Sequence, residues 1–178
     1  MEIGVISVRY ARALLKCATE QRIEKEVYQE MQTLAQSFIK VPQLRFTIDN
    51  PMLDKDKKKS LLATAAGGKV TQLTERFIQL VADEDRESTI QFMAASYITL
   101  YRKQKNITRG RLITAVPVTP EIESKMRKKV ESRTNGTVEF QTEVQPDIIG
   151  GYILEYDTYR LDASIHNQLR NILSQLSK

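Results

Sequence analysis

Four groups of residues have types and spacing that could do chemistry. Ala66-Gly67-Gly68-Lys69-Val70-Thr71 carries the Gly-Lys pair of a phosphate-binding loop. Such a loop also needs a glycine five residues before that pair and a Ser or Thr after the lysine. This chain has Ala63 and Val70 there, with a helical rather than a strand pattern upstream, so the segment reads as a helix stop. Lys55, Lys57, Lys58 and Lys59 could meet phosphate or lipid head groups, but Asp54 and Asp56 interrupt the run and no aromatic residue stands beside it for base stacking. It reads as the solvated face of a helix. Asp83-Glu84-Asp85 offers carboxylates, yet a calcium loop spreads its ligands over a dozen residues around a central glycine. The trio reads as a cap and turn. Cys17 and His166 are the only residues of their kinds. A Cys/His zinc site and an intramolecular disulfide are thereby excluded, and His166 falls on the polar side of a terminal helix. No group assembles a catalytic centre, so no enzyme activity, cofactor or metal is expected.

The chain that must position these residues has 178 of them, 41% hydrophobic, enough to bury a core in one large domain or two small ones. No apolar run approaches the roughly 20 residues that span a bilayer, and no h-region opens the chain, which predicts a soluble protein of the reducing cytosol. Net charge is +5, distributed as +4 over residues 1–105 and +1 over the remainder, so neither part is a strongly basic module.

Residues 1–105 hold three glycines and two prolines, and apolar residues recur at helical spacing almost throughout. Ile6, Tyr10, Ala13, Leu14 and Cys17 share one face, and Ile23, Val27, Met31, Leu34 and Phe38 another. Pro42 ends the second helix. A short apolar turn, 44–48, leads to Asn50-Pro51, which favours extended geometry. Asp54 is placed to cap a helix that stops at Gly67-Gly68. A helix with Leu73, Phe77, Leu80 and Val81 follows, then one over about 86–105 with Ile90, Met93, Ala94, Tyr97, Leu100 and Tyr101 facing inward. This is a compact helical domain.

Near residue 107 the period changes. The run 112–116 is β-branched and apolar, and Val138, Phe140, Thr142 and Val144 alternate with polar residues as a half-buried strand requires. Between them Thr119-Pro120 starts a helix whose Glu121 and Glu123 suit its positive end; Lys125, Arg127, Lys128, Lys129 and Arg133 suit its negative end, and Asn135-Gly136 stops it. Gly150-Gly151 precedes a strand over 152–156, and 159–161 returns as another. A last helix carries the stripe Ile165, Leu169, Ile172, Leu173 and Leu176. The order is strand, helix, three strands, helix. The expected fold is mainly α with a small α+β part, divided as 1–105 and 106–178. Tyr10, Ala13 and Leu14, with small residues beside an aromatic, and Phe77, Leu80 and Val81 form two faces that could pack together or leave a groove for a partner helix.

These residues carry a family resemblance. Arg9-Tyr10-Ala11-Arg12-Ala13-Leu14 resembles the "RYAxAL" opening of the bacterial F-type ATP synthase δ subunit, equivalent to the mitochondrial oligomycin-sensitivity-conferring protein. Asn50-Pro51, Arg76-Phe77-Ile78-Gln79-Leu80 and Thr114-Ala115-Val116-Pro117 are similar to that family too. So is the run 138–155, centred on Pro146-Asp147-Ile148-Ile149-Gly150-Gly151 and followed by Asp162-Ala163-Ser164-Ile165. The match runs the length of the chain. One departure is Tyr156-Asp157, where the family usually has Gly-Asp, which predicts a differently shaped hairpin turn.

The resemblance implies a non-catalytic stator protein that is monomeric on its own. Its N-terminal six-helix bundle would bind the N-terminal helices of α subunits on the catalytic head, with Tyr10, Ala13, Leu14, Phe77, Leu80 and Val81 as the groove. Its C-terminal domain would hold the b subunits of the peripheral stalk through the last helix, the inner residues of the stripe Ile165, Leu169, Ile172 and Leu176 packing on the sheet while its edge meets a stalk helix. Asn50, Pro51, Gly150, Gly151 and Asp162 would be structural. Proton-driven rotation makes ATP only if the head is kept from turning. The implied location is the cytoplasmic face of a bacterial inner membrane, held there through partners, with no transit peptide. The alternative, a basic nucleic-acid-binding adaptor, rests on the isoelectric point of about 9.3.

Overall fold

The structure is a computed structural model that describes residues 3–134, 136–156 and 158–176. It is mostly helical, with eight α-helices among the described residues and one four-stranded mixed sheet. The chain divides into two compact units, residues 1–103 and 104–178.

The first unit contains α1 (Ile3–Glu20), α2 (Glu24–Lys40), α3 (Gln43–Ile48), α4 (Lys55–Ala65), α5 (Gln72–Asp83) and α6 (Ile90–Lys105), the last running two residues past the boundary. Its core is built from Met31, Leu34, Ile48, Leu62, Ile78, Ile90, Met93 and Tyr97, each almost wholly buried. Tyrosines tie α2 to α6. Tyr28 stacks on Tyr101 with ring centroids 4.3 Å apart, Arg102 Nε donates to the Tyr28 hydroxyl at 2.9 Å, and the Tyr97 hydroxyl donates to the Glu24 carbonyl at 3.1 Å. Burial pushes the Tyr97 phenol above its ordinary pKa. The first turn of α5 is capped twice. Thr71 Oγ1 accepts from Thr74 N, and the Glu30 carboxylate on α2 accepts from the Thr71 amide and from both threonine hydroxyls. A carboxylate there is favoured by the helix dipole as well as by the hydrogen bonds.

Several sequence expectations change. The buried face of α1 is Ser7, Ala11, Leu14, Leu15 and Ala18, while Ile6 and Tyr10 are half-buried and Ala13 and Cys17 are exposed. Ser7, Ala11 and Ala18 let α1 approach its neighbours closely while Leu14 and Leu15 fill the space beside them, which turns Ala13 outward. The stretch after Pro42 is helix α3 rather than a turn. Asp54 precedes α4 but its side chain makes no capping bond. The last helix of the unit begins at Ile90, after a 3-10 turn over Glu87–Thr89.

The basic run and the acidic trio, taken separately above, meet each other. Lys58 is buried and its Nζ lies 2.6 Å from Glu87 Oε1, with the two side chains only 7% and 10% exposed. Lys55 pairs with Asp85 at 2.6 Å and Lys59 with Asp83 at 2.9 Å. These hydrogen bonds raise the pKa of both lysines above the ordinary value. The run is therefore not a free solvated face: it fastens α4 to the link between α5 and α6.

The second unit has strand order β2-β1-β3-β4, from β1 (Ile107–Thr114), β2 (Thr137–Val144), β3 (Tyr152–Tyr156) and β4 (Tyr159–Asp162). β1 pairs parallel with β2 across the crossover helix α7 (Pro120–Thr134), and antiparallel with β3, which pairs antiparallel with β4. β1 starts earlier than its apolar run and ends at Thr114, before Pro117. One sheet face packs Leu112, Val138, Leu154 and Tyr156 against Val130 of α7. The opposite face is mixed: buried Ile113 and Ile153 pack there with Ile148, and beside them Arg109 sits on Gln141 at 2.8 Å, Arg111 between Glu143 and Glu155, and Arg160 on Glu155 at 3.3 Å. Tyr156 is the last residue of β3, registered with Tyr159 and stacked on it at 5.5 Å, so it extends the ladder and the core. Asn135 and Asp157 lie outside the described residues.

Breaking one side of a buried ion pair leaves the other charge without compensation. Lys58→Met is expected to destabilise the protein by about 3–5 kcal/mol in urea unfolding, and adding Glu87→Leu to recover most of that loss. Equal losses in the single and double variants would show that the pair is not the cause.

Candidate functional site

The phosphate-loop reading fails on the backbone. Gly67 and Gly68 have φ of +126° and +81°, and their N–H groups donate to the carbonyls of Thr64 and Ala63. The amides that would cradle a phosphate are spent on closing α4. Among the described residues no group of three or more His, Cys, Asp or Glu could hold a metal ion, and no helix is long and apolar enough to cross a membrane. The polar cleft on the open sheet face, about 780 Å³, is lined by groups that pair with one another; its Arg111–Glu143 bond holds Glu143 below the usual carboxylate range. What the molecule offers is surface.

On the first unit the six groove candidates divide by depth. α1 and α5 are neighbours. Leu14, Phe77 and Val81 are 4%, 7% and 0% exposed, so they belong to the core beneath the α1–α5 surface. Ala13 is exposed and Leu80 is 51% exposed; they are the apolar residues of the set that a partner could touch. Tyr10 is half-buried, its hydroxyl accepting from Arg86 Nη1 at 2.6 Å with the guanidinium over its ring at 5.4 Å. Arg86 was not among the sequence candidates. Its signal, an arginine following the acidic trio, is indistinguishable from an ordinary surface charge.

On the second unit the motif residues form one knot. Gly151 has φ of +74°, and a Cβ there would sit 2.2 Å from the Ala163 carbonyl oxygen. A side chain is therefore excluded on two counts, by conformation and by space. Gly150 faces Ile165, whose Cδ1 would be 2.6 Å from a Cβ. The Ile165 amide donates to the Gly150 carbonyl at 3.0 Å, and the Ala163 amide to the Tyr152 carbonyl at 2.9 Å. Ile149 between them sits at φ +68°, ψ −41°, the centre of a γ-turn in which Gly150 N donates to Ile148 O at 2.8 Å. A β-branched residue there is strained, and its side chain is exposed. Asp162 Oδ1 accepts from the Ser164 hydroxyl at 2.6 Å and the Ser164 amide at 3.1 Å, while Ser164 Oγ accepts from Asn167 N and caps α8 (Ile165–Leu176). In the first unit Asn50 Oδ1 accepts from Met52 N at 2.9 Å, closing a tight turn through Pro51.

The expectation that the inner residues of α8 pack on the sheet is wrong. No described residue of α8 is buried. Exposure climbs along the stripe, from 42% at Ile165 through 48% at Leu169 and 52% at Ile172 to 79% at Leu176. The helix is held at its first turn by the knot, and the rest projects with its apolar stripe uncovered. Such an uncovered stripe marks a contact surface.

The bonds from the Ser164 hydroxyl, then the Ser164 amide, hold the Asp162 carboxyl below its ordinary value of 3.8. A depressed carboxyl contributes stability that is present above the unfolded pKa and is lost as pH falls through the folded one. The stability gap between the native chain and Asp162→Ala should therefore be constant near neutral pH and shrink as pH falls below about 3.8. Urea unfolding at a series of pH values checks this; a gap that grows in acid would reverse the sign of the linkage.

Three comparisons bear on what such surfaces serve. The family model described as "ATP synthase delta (OSCP) subunit" matches residues 6–176. The protein of Phocaeicola vulgatus named ATP synthase subunit delta is 49% identical, over 98% of this chain and 95% of its own length. Proteins of the same name from Parabacteroides distasonis and Synechococcus elongatus are 44% and 31% identical, over 99% and 94% of this chain and 98% and 94% of theirs. A chain of the Toxoplasma gondii mitochondrial ATP synthase hexamer shares the fold, with a TM-score of 0.65, 19% identity and 97% of each chain covered. An apolar helix left open and the glycine knot that holds it accord with this match: the chain belongs to the ATP synthase delta (OSCP) subunit family, a non-catalytic stator component of the enzyme's peripheral stalk.

Proposed function

We propose that the two units, a six-helix bundle and a small α+β domain, are the two grips of one mechanical link. The first holds the catalytic head by receiving an N-terminal helix of an α subunit along α1 and α5. The second holds the b subunits of the peripheral stalk through α8. The observation that carries the reading is the uncovered stripe Leu169, Ile172 and Leu176, supported by the family to which the chain belongs. A solvent-exposed apolar helix face is costly to keep unless a partner removes it from water, at roughly 25 cal/mol per Å². On the α1–α5 surface Ala13 and Leu80 are the contact residues, with Leu14, Phe77 and Val81 holding their helices in register from below. Tyr10, fixed by Arg86, borders the same surface.

A peripheral position on the cytoplasmic face of a bacterial inner membrane, reached through these partners by a protein otherwise monomeric, fits this reading. The nucleic-acid alternative, which rests on the isoelectric point, gains little from the basic run, because Lys55, Lys58 and Lys59 are engaged by Asp85, Glu87 and Asp83.

The two grips are separable by substitution. Ala13→Asp places a charge where a partner helix would desolvate it, and a loss of about 2 kcal/mol lowers affinity for an α-subunit N-terminal peptide about 30-fold. Thermal stability should hold, since Ala13 is exposed. The triple change of Leu169, Ile172 and Leu176 to Ser should abolish binding to the b subunits while sparing the α-subunit peptide. The reverse pattern would refute this division of labour, and Ala13→Asp unfolding the protein would return Ala13 to the core.

A further inference from the structure

A second groove opens on the first unit, between α1 and α6, separate from the α1–α5 surface. Gly4 and Val8 form one wall and Phe92, Ala95, Thr99 and Leu100 the other, around a cavity of about 520 Å³. Val8 is 37% and Phe92 40% exposed, so the walls present large apolar side chains to water. From Phe92 to Leu100 the wall runs about 12 Å at about 1.5 Å per residue, two turns of a partner helix and so enough for anchors at i, i+3/i+4 and i+7.

Three basic residues stand beside it. The Arg45 guanidinium of α3 stands over the Phe92 ring, 5.9 Å from its centroid. Arg12 follows Val8 by one turn on α1, and Lys103 follows Thr99 by one turn on α6; both are exposed. α6 contains no Asp or Glu, and within α1 the only one is Glu20 at its far end. Among the described residues Arg12, Arg45 and Lys103 have no carboxylate partner. This sets them apart from Lys55, Lys58 and Lys59 of α4, each of which pairs with an acid. A second copy of this chain would offer its own open helix, α8, but that helix carries His166 and Arg170 and no acid, so its charge is wrong for this rim.

We propose that the α1–α6 groove docks an amphipathic helix of a partner subunit whose apolar stripe is bordered by Asp or Glu. The apolar walls take the stripe and Arg12, Arg45 and Lys103 meet the acidic flanks, which fixes the helix's register and makes binding fall with ionic strength. The site is additional to the α1–α5 surface. Its failure would leave that reading standing, and the converse holds.

The test uses the full chain and two fluorescein-labelled 18-residue helical peptides of designed sequence, with the same Leu stripe and either Glu or Lys at the flanking positions. Fluorescence anisotropy should show saturable binding of the Glu peptide at least ten-fold tighter than of the Lys peptide. Ala95→Trp, which fills the groove from an exposed position, should weaken the Glu peptide at least ten-fold. Should that variant lower the Tm, Arg12→Glu/Lys103→Glu, both on exposed side chains, gives the decision: it should invert the preference between the two peptides. Ala13→Asp, on the other surface, should change neither affinity. Equal binding of the two peptides, or an unaltered preference in the charge-reversed variant, would overturn the proposal. So would concentration-dependent self-association in sedimentation that Ala95→Trp abolishes, because the occupant would then be a second copy.

Discussion

The close approach of Gly151 to the Ala163 carbonyl is the constraint on which the second unit depends. No side chain fits between them, so the start of β3 and the link from β4 into α8 are pressed together. The bonds from Ala163 to Tyr152 and from Ile165 to Gly150 then fix the direction in which α8 leaves the sheet. Asp162 and Ser164 supply the cap that lets a helix begin at that point. A helix so launched keeps its stripe uncovered, whereas a floppy link would let the stripe collapse onto whatever apolar surface lay in reach. Strain at Ile149, in the same loop, is a cost of order 1–3 kcal/mol for a backbone held in one path.

In the first unit the equivalent decision is made by helix rotation. Leu14 and Leu15 turn inward together with Ser7, Ala11 and Ala18, whose small side chains permit close packing, and that turn places Ala13 and the basic residues of α1 outside. Charges follow the same economy. Lys55, Lys58 and Lys59 are consumed by Asp85, Glu87 and Asp83, a structural use that holds α4 against the α5–α6 link. Arg12, Arg45 and Lys103 are not consumed. The difference between a charge that holds the fold and one that is offered outward is thus visible only when both partners are placed.

Most elements were legible in the sequence because their punctuation is strong. Pro120 at a helix start, Gly67-Gly68 at a helix stop, and alternation through Val138, Phe140 and Thr142 each admit one local structure. What could not be read there was tertiary. Helical periodicity placed Leu14, Phe77 and Val81 beside Ala13 and Leu80, but a period of 3.6 leaves the depth of each residue undecided by a fraction of a turn. The same ambiguity put α8 on the sheet, since an amphipathic stripe looks alike whether its own domain or a partner covers it. The pairing of the lysine run with the acids some 30 residues later was invisible for a different reason: solvated and paired lysines have the same local sequence. The motif glycines, by contrast, are explained by position, because Gly151 answers to one carbonyl oxygen.

A stator link works only as a continuous body. On the proposed reading each grip alone would bind its partner, but torque would pass from head to stalk only through a single chain that joins them. The direct measurement is proton-driven ATP synthesis in vesicles reconstituted with ATP synthase lacking this subunit, to which either the intact chain or residues 1–105 and 106–178 as two separate polypeptides are added. The intact chain should restore synthesis; the severed pair should bind head and stalk yet leave synthesis near the level without the subunit, with ATP hydrolysis by the head unchanged. Equal restoration by the severed pair would contradict the account.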